Sequence, residues 1–319
     1  MDTLLSIIIP VYNAEHHLHR TLEQLSEQIE KKQYIDTKII VIDDASTDAS
    51  ISIIEQYNNK SFIITNYLNS KIPTGAVRNK GLELANKFES EYVAFCDSDD
   101  LLDIAMARDI ALKLKYEKCP IGIAYYQQTN YRNMNAFIGQ KEGIYGLNEF
   151  GLQCIGTDIP YSKLFMITNA GACNKVFSLN FLNSNGIKFA NTTYAEDVAF
   201  TYNSLCTTSS IHFFDELYYY YSSPDTNPGS NDRNSYNTWE ELFIALDEIW
   251  QYIITLRLPN KEQLCESFLC SVIGHIRYAQ KKMKTDAQKS IIGSTGFDWL
   301  SAKQHELKTL YKQSAIKYI

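Results

Sequence analysis

The chain opens on an unbroken apolar run, Leu4-Leu5-Ser6-Ile7-Ile8-Ile9, rich in β-branched side chains and ended by Pro10. A short run of this kind without polar alternation reads as a strand buried on both faces. The period then changes. Leu18, Leu22, Leu25 and Ile29 recur at three- and four-residue spacing, which predicts a helix over residues 15–31. The two patterns alternate from there. Further strands are expected at residues 38–42, 62–65, 92–96 and 121–126, and further helices around 51–57, over 75–88 and over 104–116. Ser46, Thr47 or Asp48 suits the N-cap of the second helix.

Alternating strands and helices with nearly continuous apolar strands predict an α/β fold, a mostly parallel central sheet with helices on both faces. Ligands of such sheets bind beyond the carboxyl ends of the strands. Tyr12-Asn13, Asp43-Asp44 and the run Asp97 to Asp100 all follow strand ends. These polar clusters, far apart in sequence, are therefore expected to share one crevice.

Past residue 130 the pattern is less regular. Residues 222–237, rich in Asn, Ser, Asp, Pro and Gly, read as a connection or lid. Beyond it, helices are expected over 238–256, 261–284 and 298–318. This divides the chain into a nucleotide-binding catalytic domain, 1–221, and a mainly helical C-terminal region, 222–319.

A length of 319 residues with 45% hydrophobic content supplies a sizeable core. The net charge of -7 argues against a partner such as nucleic acid, which is held through a broad basic face. Charge is unevenly spread. Arg277, Lys281, Lys282, Lys284, Lys289, Lys303, Lys308, Lys312 and Lys317 crowd the end of the chain against Asp286, Asp298 and Glu306. A basic helical tail on an acidic body suits peripheral contact with an anionic membrane or a phosphorylated acceptor, or else a solvated helix face. Contact between copies in a homo-oligomer is a further role open to this region. Scattered cysteines without a C-x-x-C pair, and no long apolar stretch at the start, place the chain in the cytoplasm or on the inner face of the cell membrane. His16, His17 and His19 read as surface residues.

Candidate chemistry concentrates at the strand ends. Asp97-Ser98-Asp99-Asp100 places carboxylates directly after an apolar strand. Mg²⁺ or Mn²⁺ would relieve their repulsion and bridge them to phosphate oxygens; a turn and helix cap would use the same residues. Asp44 is suited to accept from a base imide or a ribose hydroxyl, with Ser46-Thr47-Asp48 mainly structural. Tyr12 offers a stacking face. Arg78, near a helix start, suits bidentate contact with phosphate or a place on the surface. Glu196-Asp197 suits either a general base or acids at a helix N-terminus.

The order of these segments resembles glycosyltransferase family 2. The resemblance is carried by Ser6 to Asn13, Val41 to Asp48, Ala76 to Gly81, Tyr92 to Asp100, Cys173-Asn174-Lys175-Val176-Phe177, Tyr194 to Phe200 and Tyr218 to Tyr221. It implies an inverting, metal-dependent enzyme with the GT-A fold, active in bacterial capsule, lipopolysaccharide or teichoic-acid assembly. Its donor would be a nucleotide-sugar such as a UDP-sugar, and its acceptor a saccharide or lipid-linked molecule. Tyr12 would stack near the base beside Pro10 and Asn13, and Asp44 would accept from the imide. Arg78 would lie near the nucleotide or its diphosphate, with Ser98 also at the nucleotide-sugar, and Asp97 would hold the ribose or a metal-bound water. Asp99, with Asp97, would ligate Mn²⁺ or Mg²⁺. Asn174, Lys175 and Glu196 would shape the donor-sugar pocket, and Asp197 would deprotonate the acceptor. Ala45 stands where the family usually has Gly, so the turn there is not expected to be left-handed. Ala172-Cys173 stands where Pro-Trp is usual, and Ala195 splits the usual Tyr-Glu-Asp. A nucleotidyltransferase would want a Gly-rich basic loop after the first strand. A non-catalytic carbohydrate-binding protein would dispense with Asp97, Asp99 and Asp197.

Overall fold

A computed structural model describes residues 3–130, 133–146, 150–222, 238–258, 260–283 and 285–311. The first part is β1 (Thr3–Val11), α1 (Leu18–Lys32), β2 (Thr37–Asp43), α2 (Ser50–Glu55), β3 (Ile63–Tyr67), α3 (Thr74–Lys87), β4 (Ser90–Phe95), β5 (Leu101–Leu102) and α4 (Ile104–Glu117). There follow β6 (Ile121–Asn130), β7 (Asn133–Glu142), β8 (Gly151–Cys154), a 3-10 turn (Tyr161–Met166), β9 (Lys175–Ser178), α5 (Leu179–Ser184), α6 (Glu196–Thr207) and β10 (Ser210–Ser222). The C-terminal helices are α7 (Thr238–Thr255), α8 (Lys261–Lys282) and α9 (Asp286–Tyr311).

The strands form one sheet in the order β3-β2-β1-β4-β9-β6-β10-β5, with β7 on β6 and β8 on β10. The pairings β2–β3, β1–β2, β1–β4 and β6–β10 are parallel. β9 is antiparallel to both β4 and β6, so those two point the same way. The strand expected at 121–126 thus lies one place further from β4 than simple alternation implies. β5, β7 and β8, all antiparallel, were not expected from the pattern.

Alternate residues of β1 feed different layers of the core. Ile7 and Ile9 pack with Leu18, Leu22, Leu25 and Ile29 of α1 and with Ile104, Ala107 and Ile110 of α4. Ile8 packs with Val77, Leu82 and Ala85 of α3 and with Phe95 and Phe200. This strand needs apolar residues at every position because it is covered on both sides. The second layer runs on without a break into Leu246, Ile249 and Trp250 of α7 and Leu264 and Phe268 of α8. Gly81 lets α3 lie flat on β1, since a Cβ there would come within 2.3 Å of Ile8 Cγ2.

Several local expectations need correction. Pro10 does not end β1: it pairs with Ile42 of β2, while the β4 ladder stops at Ile8, so its missing N–H removes no bond on that side. α1 begins at Leu18 and α2 at Ser50, where Asp48 Oδ1 accepts from the Ser50 amide at 2.9 Å. α9 starts at Asp286, well before 298. Its Gly296 lets the helix lie close against α8, since a Cβ there would come within 2.6 Å of Ile276 Cδ1. His17 is buried, not a surface residue, and burial with Arg20 nearby pulls its pKa down to about 4. Ala45 is left-handed after all, at φ 56°. The bend lets Asp43 Oδ2 accept from the Ser46 amide at 3.0 Å. The basic tail is partly neutralised from within, as Lys303 pairs with Asp247 at 2.8 Å and Lys289 with Asp286 at 3.2 Å. The expected lid lies outside the described residues beyond Ser222. No described helix is long and apolar enough to cross a membrane.

Candidate active site

The carboxyl ends of β1, β2 and β4 lie side by side, and the polar residues that follow them gather at one edge of the sheet. At the β4 end the chain turns through Asp97-Ser98-Asp99-Asp100. Asp100 is the fixed point of that turn, 1% exposed. Its Oδ2 accepts from the Tyr219 hydroxyl at 2.5 Å and its Oδ1 from the Ser222 amide at 2.6 Å. The same Tyr219 oxygen accepts from the Asp97 amide at 3.1 Å. Burial, with Asp99 and Asp97 adding repulsion, pushes the Asp100 carboxyl well above the usual range. From the other side Arg20 Nη2 donates to the Asp99 carbonyl at 2.7 Å, and Thr21 Oγ1 donates to the Ser98 carbonyl at 2.9 Å. The turn is thus clamped between α1 and β10, leaving the half-buried Asp97 and Asp99 toward the edge.

Arg78 is drawn into this cluster by α3. It is 6% exposed, neither a surface residue nor open to bulk solvent. Nη2 donates to Asp97 Oδ1 at 2.6 Å, and Nη1 pairs with Glu196 Oε1. Burial opposes its charge, but Asp97 and Glu196 outweigh that and raise its pKa further. Burial moves Glu196 up to about 7 against the pull of Arg78. The approach of α3 to the strap before α6 requires Gly75, since a Cβ there would stand 1.8 Å from the Ala190 carbonyl oxygen.

Asp197 lies in the first turn of α6, which begins directly after the left-handed Ala195 at φ 60°. It is close enough to Arg78 and Lys175 to influence the charge of both. A side chain at Gly171 would come within 3.8 Å of Asp197 Oδ2. Lys175, at the start of β9, is fully buried. Its Nζ donates among the Gly171 and Asn169 carbonyls at 2.6 and 3.0 Å and the Asn174 and Asn169 Oδ1 atoms at 2.7 and 3.1 Å. Burial pulls its pKa down to about 7. Asn174 in turn donates Nδ2 to the Ala124 carbonyl at 2.8 Å. Cys173, half-buried, has its thiol pushed well above the usual range by burial and by Asp97. The C-terminal helices reach this end too: Glu241 of α7 accepts from the Thr193 and Tyr194 amides, each at 2.6 Å.

The other end of the edge is built on β1 and β2. Pro10 and Val11 complete β1, and the Asp44 amide donates to the Val11 carbonyl at 2.8 Å. Asn13, left-handed at φ 48°, stays exposed, and its Oδ1 accepts from the Thr47 amide at 2.8 Å. Asp44 is buried, and its Oδ1 accepts from the Ile72 amide at 2.8 Å. Burial raises its pKa, while the Ile72 amide and Lys71 act the other way. Lys71 Nζ lies 3.7 Å from Asp44 Oδ2 and 3.0 Å from the centroid of the Tyr12 ring. Residues 71–78 therefore link the two ends, from Lys71 and Ile72 at Asp44 to Arg78 at Asp97.

Asp97 and Asp99 offer hard oxygen donors of the kind a divalent cation takes. No group of three or more His, Cys, Asp or Glu side chains suited to a metal occurs among the described residues. A pair of carboxylates still fits Mg²⁺ or Mn²⁺, which commonly take one or two from protein and the rest from substrate phosphates and water.

Sequence reasoning missed Tyr219, Arg20, Glu241 and Lys71. Each acts across a long sequence separation, and only Tyr219 carried a signal, its place in the run Tyr218 to Tyr221.

A sequence model described as Glycosyl transferase family 2 matches residues 6–168. Among curated proteins the chain is 26% identical over 330 residues to a poly(ribitol-phosphate) beta-glucosyltransferase of Bacillus spizizenii, covering 99% of this chain and 47% of that protein. It is also 26% identical over 294 residues to the poly(ribitol-phosphate) beta-N-acetylglucosaminyltransferase TarP of Staphylococcus aureus, covering 88% and 83%. The chain spans about half the length of the first of these. Among solved structures, that of S. aureus TarS superposes with a TM-score of 0.63 at 19% identity, covering 95% of this chain and 54% of that one. A TarS 1-349 structure in complex with UDP gives 0.57 at 19% identity, covering 99% and 93%. Likeness at this identity establishes the fold alone.

Proposed function

The chain belongs to glycosyl transferase family 2, and from that premise we propose that it is an inverting enzyme that moves a sugar from a UDP-sugar to a hydroxyl of a cell-surface polymer or its lipid-linked precursor. The observation that carries this reading is Arg78, which bonds to Asp97 at the β4 end and to Glu196, the chain neighbour of Asp197, and feels the charge of Asp197 as well. The bound UDP and UDP-GlcNAc of TarS structures support a uridine donor. The poly(ribitol-phosphate) substrates in the names of the relatives support a polyol-phosphate or saccharide acceptor.

The residues divide the work by position. Tyr12 and Asp44 take the base, one by stacking and one by accepting from its imide. Asp97 and Asp99 hold a divalent cation, which when bound offsets charge on the diphosphate. Lys175 and Asn174, buried and locked to each other and to the backbone, stiffen the scaffold behind the donor-sugar pocket rather than lining it. Asp197 takes the proton from the acceptor hydroxyl as its oxygen bonds to the anomeric carbon. The bond from that carbon to the nucleoside diphosphate breaks on the opposite face, and the configuration inverts.

Purified chain screened against nucleotide-sugars with Mn²⁺ is expected to gain thermal stability with UDP-sugars. In calorimetry, Asp99→Ala is expected to lose the Mn²⁺-dependent heat of UDP binding. Mn²⁺-dependent binding that persists in this variant would remove Asp99 as a ligand, and no response to any uridine nucleotide would remove the donor assignment.

A further inference from the structure

The helix that carries Asp197 begins without a cap of its own. The residue that flanks α6 is Ala195, left-handed at φ 60°, and it has no side-chain oxygen to accept from the first amides of the helix. A left-handed alanine is disfavoured, so neighbouring bonds must hold the bend in place. The strap that leads into it, residues 189–195, is tied on one side to α3. The Gly75 amide donates to the Thr192 carbonyl at 3.0 Å, and Asn79 Nδ2 donates to the Phe189 carbonyl at 2.9 Å. The two residues next to the bend are held from α7. Glu241 Oε2 accepts from the Thr193 and Tyr194 amides, each at 2.6 Å, so one carboxylate oxygen fixes two successive peptide units. α7 is set firmly enough to do this. Its Leu242, Ala245, Leu246 and Ile249 share one core with Val198, Ala199, Tyr202 and Leu205 of α6. The Tyr252 hydroxyl lies 2.7 Å from Thr207 Oγ1 at the far end of α6. The two helices therefore run side by side and are joined at both ends, with Glu241 at the end where Asp197 stands.

We propose that Glu241 is a positioning residue for the transfer: it fixes the strap before α6 and, through the Ala195 bend, sets where the Asp197 carboxylate points. The inference rests on the assignment of Asp197 as the base, and it gives the C-terminal helices a part in the chemistry beyond packing. A general base acts only within hydrogen-bond reach of the proton it takes. A misplacement of about 1 Å caused far from the reacting atoms can cost about 10²-fold in rate. Arg78 anchors Glu196 from the acid turn. Glu241 anchors the chain just before it from the opposite side, and the bend between these two anchors fixes the first turn of α6.

The test compares Glu241→Ala and Glu241→Gln with wild type in the full chain. Three quantities are measured: UDP release from UDP-glucose and UDP-GlcNAc with a polyol-phosphate polymer as acceptor, UDP affinity by calorimetry with Mn²⁺, and hydrogen exchange at residues 193–198. Glu241→Ala is expected to lower kcat by about ten- to hundred-fold, to leave UDP affinity unchanged, and to speed exchange at the strap and the first turn of α6 while the sheet stays protected. Glu241→Gln keeps a carbonyl oxygen for both amides and should recover most of the turnover. Added to Asp197→Asn, Glu241→Ala should cost little more, since it acts through that carboxylate. Normal kcat in Glu241→Ala overturns the assignment. So does a loss of UDP affinity or of protection across the sheet, which would make Glu241 a residue of the general fold. Glu241→Gln as slow as Glu241→Ala overturns it too, because the charge and not the tether would then matter. These three outcomes leave the transferase reading intact. Wild type that neither binds nor releases UDP overturns both readings together.

Discussion

At the acid turn, Arg78 is 6% exposed and both terminal nitrogens are bonded to carboxylates, while Lys175 is fully buried among backbone and amide oxygens. At the mouth of β1 the polar groups are held far more loosely. Lys71 is half exposed, rests on an aromatic ring and stands 3.7 Å from its carboxylate. The first region is preorganised by the protein's own charges, and a buried network of this kind is costly to disturb. The second keeps an aromatic face and a carboxylate oxygen where a ligand completes them. Changes at the buried end should therefore disturb the fold or the chemistry. Changes at the open end should alter affinity and leave the fold alone.

The largest effect is expected at Asp197, which sits in the buried region but is itself only partly buried. Asp197→Asn keeps the shape and removes the base. Turnover should fall by about 10²–10⁴-fold, the usual contribution of a general base, with UDP-sugar affinity unchanged by calorimetry. Near-normal turnover with a working acceptor would assign the proton to another group. Arg78→Met comes next. It leaves Asp97 and Glu196 without their shared cation, and removing one partner of a buried ion pair typically costs about 3–5 kcal/mol. Denaturant unfolding should show that loss, and adding Glu196→Gln should restore part of it. An Arg78→Met protein as stable as wild type would mean that the buried end is not held by its charges.

How far the sequence reveals the site follows the same division. The strand tips are legible because a parallel sheet brings them together whatever the loops do, so the acids after β2 and β4 could be assigned to one edge from periodicity alone. Arg78 could be named from its motif, but its burial between carboxylates could not, because Glu196 is 118 residues away. Tyr219 and Asp100 show the same limit: their bond joins β10 to the acid turn across 119 residues. Ala45 was misread because residue type is only a preference. The bond from the Ser46 amide to Asp43 favours a left-handed bend that an alanine can enter at modest cost. Lys71 carries no periodic or motif signal, and only the folded loop places it over Tyr12.

The smallest expected effect separates the two regions most directly. Tyr12 is half-buried at the end of β1, and its ring touches the Lys71 ammonium rather than the hydrophobic core. Tyr12→Leu keeps apolar bulk but removes the flat face. Its stability should lie within about 0.5 kcal/mol of wild type, as for substitutions away from core and network. UDP affinity should weaken by about 1–3 kcal/mol, the range for one base stacked on one aromatic side chain. Thermal melting without ligand and calorimetry with UDP measure the two quantities separately. A large loss of stability with affinity preserved would reverse the assignment, making Tyr12 part of the scaffold and leaving Asp44 to hold the base without a stacking partner.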